Sequence, residues 1–210
     1  MLTSHPLTLT PCQPSSQLLI CRQHMLKSVD LNVEICSKLL KVKSFKADGP
    51  DSIPNRIIRE YAIELAEPVA KIFNQSLSSS KVPTLWKDAD LTPVPKTQAV
   101  ICENELQSIA LTASLSKVLE DFVVTWLFQD IRHKIDINPN YLRVCFLDFS
   151  KAFDRINHNI LITKLIALGA RRCLIPWICD FLSNRRQAVK INETRSDWAY
   201  VNAWWRSPRN

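Results

Sequence analysis

The sequence predicts a mixed α+β domain, mostly helical with a few short strands. Three observations carry that reading. Apolar residues recur at helical spacing over several long stretches. Residues 142–149 (LRVCFLDF) are apolar, aromatic or β-branched at nearly consecutive positions, as suits a strand buried on both faces. The chain has 210 residues and is 46% hydrophobic, enough to fill a real core.

Taken in order, residues 1–29 hold prolines, serines and threonines without a period and read as a disordered or linker-like segment. From Asp30 to about Lys43, Leu31, Val33, Ile35, Cys36, Leu39 and Leu40 mark an amphipathic helix with Asp30 as its N-cap. ADGPDSIPN (47–55) is a run of turn formers in which Pro54 can start a helix, because its missing N–H is not needed there. Ile57, Ile58, Tyr61, Ile63 and Leu65 form that helix. Glu67-Pro68 punctuates it before Val69, Ile72, Phe73 and Leu77 resume the pattern, which serines 78–80 end.

VPTLWKDADLTPVPK (82–96), with its three prolines, reads as a short helix running into an edge strand that Lys96 ends. After a polar loop, Thr112 or Ser114 can cap a long helix through Leu115, Val118, Leu119, Phe122, Val123, Trp126, Leu127 and Ile131, the strongest helical pattern in the chain. Beyond the 142–149 strand, Asn157 or Asn159 opens a helix through Ile160, Leu161, Leu165 and Leu168. Gly169, one of only two glycines, closes it. Pro176 sits early in a further helix through Trp177, Ile178, Phe181 and Leu182. Residues 187–192 and 198–202 read as two short strands around a polar turn.

Composition narrows the function classes. Lysine and arginine outnumber aspartate and glutamate by 27 to 20, giving a net charge of +7. That balance suits a polyanionic partner and equally suits ordinary solubility charge. The seven cysteines contain no C-x-x-C pair, and several lie in apolar runs, so they read as reduced thiols of an intracellular protein; nucleus and cytoplasm are not distinguished. No stretch approaches the ~18 consecutive apolar residues of a membrane span, so no membrane partner is expected.

The chemistry concentrates in VCFLDFSKAFDRINH (144–158). A buried strand ending in Asp148, followed at once by a small-residue turn and a helix, places a carboxylate at the C-terminal edge of a sheet, where open α/β architectures put their sites. Such a carboxylate can hold Mg²⁺, a hard cation that prefers oxygen ligands. It also suits a helix N-cap, and Asp154 suits capping or pairing with Arg155 or Lys151 at least as well as chemistry. His158 alone reads as a packed or hydrogen-bonded histidine.

Resemblance adds what spacing cannot. LDFSKAFDRINHNILITKLIALG followed by PWICDFLSNRRQAVKIN resembles the segment around the first catalytic aspartate of reverse transcriptases from non-LTR (LINE-type) retrotransposons. Upstream, KADGPDSIPNRIIREY, then LAEPVAKIFNQSLSSSKVPTLWKDADLTPVPK, then LTASLSKVLE resemble the fingers and early palm of the same enzymes, in the same order. The resemblance runs over about residues 31–203. It implies a partial polymerase right hand over 30–203, with fingers and the first part of the palm, and an aberrant tail over 204–210.

By that resemblance Asp148 is the first metal-binding aspartate of the palm, and the backbone carbonyl of Phe149 a further ligand. Phe153 is the aromatic gate that leaves no room for a 2′-hydroxyl, although a phenylalanine in such a run also packs well as core. Lys96 and Lys117 fall near the template and incoming triphosphate. Lys41, Lys43, Lys46, Arg171, Arg172, Arg185 and Arg186 are expected to contact the backbone of an RNA template or hybrid duplex. The implied reaction is template-directed addition of dNTPs to a DNA primer 3′-hydroxyl, assisted by two Mg²⁺ ions held by carboxylates.

The chain departs from the family in four places. No Asp-Asp pair occurs in it, and the G-V-P-Q-G segment that precedes that pair is missing. Gln107 stands where the family carries an arginine, so a charge-assisted phosphate contact is lost. The connection before the 142–149 strand is short. Shifted by one base, plausible codons for 204–210 read close to the missing glycine-rich segment. The expectation is therefore a truncated, frameshifted relic that is inactive alone, since one carboxylate does not position two ions. The alternative is a non-catalytic basic RNA- or DNA-binding fragment.

Overall fold

The computed structural model describes residues 31–95, 106–136 and 156–201. Helix α1 (Leu31–Leu40) is followed by α2 (Asn55–Glu60) and α3 (Ala62–Ser79), then a 3₁₀ turn (Thr84–Lys87) leading into β1 (Asp88–Pro95). Next come β2 (Leu106–Leu111), α4 (Ser114–Asp136), α5 (His158–Ala167) and α6 (Ile175–Leu182). Strands β3 (Arg185–Ile191), β4 (Thr194–Arg195) and β5 (Ala199–Val201) complete the described chain. This is the mixed α and β content the sequence predicts.

The helices meet in one apolar core. Ile35 and Leu39 of α1, Phe73 and Leu77 of α3, Leu119 and Phe122 of α4 and Trp177 of α6 are all buried in it. Phe73 stands edge-on to both Trp86 (centroids 5.8 Å apart) and Phe122 (6.3 Å), an arrangement that sets the positive ring edge against a negative face. The indole N–H of Trp177 needs a partner once buried and donates to Ser76 Oγ at 2.9 Å; that hydroxyl in turn donates to the Lys81 carbonyl at 2.7 Å.

Several helix ends follow local sequence rules. Asn157 caps α5 by accepting from the backbone N–H groups of Asn159 (3.0 Å) and Ile160 (3.2 Å). Gly169, at φ 90°, closes it. The Gly169 N–H reaches the Ile166 carbonyl and the Ala170 N–H the Leu165 carbonyl, both at 3.0 Å, which is a Schellman ending. Ser80 ends α3 in the left-handed region, with the Ser80 and Lys81 N–H groups taking the Leu77 and Ser76 carbonyls. Pro54 occupies the position before α2.

Other expectations are corrected. Helix α1 stops at Leu40, short of Lys43, and Lys41 and Val42 turn back on the Lys38 and Leu39 carbonyls. Pro68 does not interrupt its helix. It lies on the exposed side of a continuous α3, whose opposite face buries Ala66, Val69, Ala70 and Phe73, and that burial outweighs one missing backbone bond. The break falls instead at Tyr61, between α2 and α3.

Strand β1 is no edge strand at its start. Asp88–Leu91 pairs parallel with Arg186–Val189 of β3, while Asp90–Pro95 pairs antiparallel with Leu111–Leu106 of β2. Both of its prolines lie past Leu91, where only β2 still flanks the strand, so their missing donors leave the β3 ladder intact. On its far side β3 pairs antiparallel with β5 at one end and with β4 at the other. Strands β2 and β4 were not expected from the sequence. The 142–149 strand, the N-terminal segment and the 204–210 tail lie outside the described residues.

Candidate nucleic-acid interface

Of the residues singled out by the sequence, Asp148, Phe149, Phe153 and Lys96 lie outside the described residues, as does Asp154. Lys117 lies within them, in the first turn of α4. Among the described residues no group of three or more His, Cys, Asp or Glu side chains could hold a metal ion, and no helix is long and apolar enough to cross a membrane.

Lys117 opens onto a trough of about 420 Å³. One wall is the run that leaves α1, carrying Lys38, Lys41, Lys43 and Lys46. The other is the first two turns of α4, from Ser114 to Asp121. The structure therefore gathers four lysines that the sequence analysis named, Lys41, Lys43, Lys46 and Lys117, in one place. It adds Lys38, whose ammonium donates to Asp121 Oδ2 while sitting 4.6 Å above the Phe122 ring. The other four make no ion pair among the described residues.

Buried polar groups fix the trough's shape. Asn55 is 3% exposed. Its backbone N–H donates to Asp48 Oδ1 and its side-chain amide to the Lys46 carbonyl, each at 3.0 Å, while its Oδ1 accepts from the Ser114 hydroxyl. One asparagine thus ties the lysine-bearing loop to the start of α4. Gly49 makes the same junction possible from the other side: a Cβ there would lie 2.6 Å from the Thr112 carbonyl carbon and 2.7 Å from the Ala113 nitrogen, both backbone atoms.

The electrostatics follow from this crowding. Partial desolvation pushes the Lys117 ammonium below the ordinary lysine range; Lys46 pushes it the same way, against Glu120 and Asp51. Burial raises the neighbouring Asp51 carboxyl above the usual carboxylate range, with Lys117 opposing. A multivalent anion would relieve the repulsion among these ammonium groups.

The arginines behave differently, and three of those expected to contact a nucleic-acid backbone are engaged within the fold. Arg186 forms a two-pronged bridge to buried Asp88, with Nε–Oδ1 at 2.8 Å and Nη2–Oδ2 at 2.6 Å. Arg171 reaches Asp130 on α4 through both its backbone N–H (3.1 Å) and Nε (2.7 Å). Arg185 lies 4.6 Å from the Phe181 ring, and desolvation lowers its pKa. All three hold elements of the fold together. Arg172 is exposed.

Asn55, Ser114, Gly49 and Lys38 were missed by the sequence analysis, because their roles rest on contacts between segments far apart in the chain. One signal was present. KVKSFK (41–46) sets a phenylalanine among three lysines, and Phe45 proves fully exposed, at 103% of its reference area.

No family model matches the chain. The chain is 26% identical over 197 residues to the "RNA-directed DNA polymerase from mobile element jockey" of Drosophila melanogaster, an alignment covering 78% of this chain and 21% of that protein. The chain thus spans about a fifth of that relative's length.

Proposed function

We propose that the chain is a reverse-transcriptase-like fragment, related at a distance to the polymerases of non-LTR mobile elements. The single observation that carries this reading is the 26% identity to the Drosophila polymerase, sustained over 78% of the chain rather than confined to one motif. In this reading the ancestral reaction is RNA-templated addition of dNTPs to a primer 3′-hydroxyl. Asp148 and the Phe149 carbonyl would face Mg²⁺, Phe153 the sugar, and Lys96 and Lys117 the phosphates. When bound, the two ions supply charge neutralisation at the attacking and leaving oxygens. The chain alone offers no Asp-Asp pair to complete that set, so it is inactive by itself.

Transplantation tests the reading. Residues 142–158 placed in the corresponding segment of the Drosophila polymerase should preserve RNA-templated synthesis, and Asp148→Asn in the transplant should abolish it. A transplant that folds but makes no product with Asp148 in place ends the reading. For the chain alone, template-dependent product in primer extension, lost on Asp148→Asn, would show that the proposed inactivity is wrong. The lysine trough favours a second reading, a non-catalytic fragment that binds RNA or DNA.

A further inference from the structure

We infer that the lysine trough and Phe45 together form a preformed site for one unpaired nucleic-acid strand, its phosphates lying among Lys41, Lys43, Lys46 and Lys117 and one base stacking on Phe45. The inference deepens the nucleic-acid reading above and depends on it for the class of partner, but it needs neither Asp148 nor any metal.

Three observations carry it. First, the trough is open, with the lysine-bearing run 38–46 on one side and the start of α4, carrying Lys117 and Asp121, on the other, a shape that suits a chain passing through rather than a small molecule enclosed. Second, four lysines in it make no ion pair among the described residues, although ion pairing occupies Lys71, Lys81 and Lys87 elsewhere. Third, Phe45 is fully exposed between Lys43 and Lys46. A ring left wholly in water gives up the burial that normally fixes a phenylalanine. A base has an apolar π-face to return that burial, and its own phosphates reach the flanking ammonium groups; this is how strand-binding proteins combine basic grooves with aromatic platforms.

A duplex fits less well, because its bases are already stacked on one another and leave no face for Phe45. The Asn55 tie and the Gly49 contact hold the loop in place before any ligand arrives, so little ordering accompanies binding.

The test uses the full 210-residue chain and a labelled homopolymeric single strand, with a matched duplex for comparison, read by fluorescence anisotropy across a salt series. Single-strand affinity should fall with salt, with a slope of about −0.7 for each phosphate neutralised, and Lys43→Ala, Lys46→Ala or Lys117→Ala should each flatten it by about that amount. Phe45→Ala should weaken binding about tenfold while leaving the slope unchanged, and Phe45→Trp should restore it. Lys164→Ala, an exposed charge outside the trough, serves as the control and should change neither.

The inference is overturned by tighter binding to duplex than to single strand, by Phe45→Ala binding like the parent, or by a slope that the lysine substitutions do not move. Because Phe45 is wholly exposed, its replacement leaves folding intact, which circular dichroism checks. Binding without polymerase competence in the transplant leaves this site standing alone; a competent transplant with no strand binding by the chain removes this site and spares the polymerase reading.

Discussion

Removing Arg195 should destabilise the fold far more than removing the aspartate it pairs with. Arg195 Nη2 meets Asp90 Oδ2 at 2.6 Å, but the partners differ in surroundings: the Arg195 side chain is 35% exposed and that of Asp90 only 1%. Asp90 Oδ1 already lacks a hydrogen-bond partner. In Arg195→Met the carboxylate would be buried with neither oxygen paired. Breaking a buried pair from that side costs about 3–5 kcal/mol, and the partial exposure of Arg195 places this case near about 3.

Methionine keeps part of the apolar contact with Trp198, whose ring lies 5.2 Å from the Arg195 guanidinium carbon. In Asp90→Val, by contrast, Arg195 can turn to water and keep Trp198, so the loss should be about 1 kcal/mol or less. Joined to Arg195→Met, Asp90→Val should recover most of the lost stability, giving a coupling of about 2 kcal/mol or more. Urea unfolding of the four proteins near neutral pH measures these differences. Equal losses from the two single substitutions, or a loss below about 1 kcal/mol for Arg195→Met, would refute the argument from unequal burial.

Other substitutions probe other joints. Gly49→Ala should lower stability by about 1–3 kcal/mol and weaken strand binding as well, since the new methyl group meets only backbone at Thr112 and Ala113; calorimetry with the anisotropy assay separates the two effects. Trp177→Phe removes the donor to Ser76 Oγ and should cost about 1 kcal/mol in urea unfolding. Burial opposes the Asp180 charge, but hydrogen bonds from Lys87, the Val82 N–H and Lys81 prevail and hold its carboxyl below the usual range. That stability is present above the unfolded carboxylate value and is lost as pH falls through the lower folded one, so Asp180→Asn should flatten the acid limb of a pH–stability profile. Lys117→Gln should raise the melting temperature slightly while weakening strand binding, because a desolvated ammonium whose pKa is depressed opposes folding while it is charged.

What the sequence revealed was whatever is encoded locally. Asn157 and Gly169 bound α5 because capping needs only residues a few positions away. The apolar periodicity of α4 anticipated its burial of Leu119 and Phe122. Strand β2 was invisible because LQSIAL has an exposed middle and no alternation; only pairing with β1 makes it a strand. Pro68 misled because a local rule met a helix whose other face was already fixed by the core. The arginines misled for the opposite reason. Arg186 and its carboxylate are 98 residues apart, and Arg171 and Asp130 are 41 apart, so no local pattern distinguishes them from cations free to bind phosphate.

That separation bears on a question composition alone leaves open, whether the excess positive charge serves a polyanion or mere solubility. If it were solubility charge, lysines and arginines would be scattered alike. Instead Arg171, Arg186 and Arg195 are fixed on carboxylates, where a planar fork suits the partner, as are Lys38, Lys71, Lys81 and Lys87, while Lys41, Lys43, Lys46 and Lys117 meet at one trough and make no ion pair among the described residues. Concentrating like charges in this way carries a repulsive energy that a scattered surface avoids, and burial of Asn55 with the close approach of Gly49 maintains it. Every group that builds the trough lies between Lys38 and Asp121, whereas the residues assigned to polymer chemistry by resemblance, apart from Lys96 and Lys117, lie at 148–153. If the chain binds a strand, substitutions at Lys43 or Phe45 should act on that binding without requiring residues 148–153.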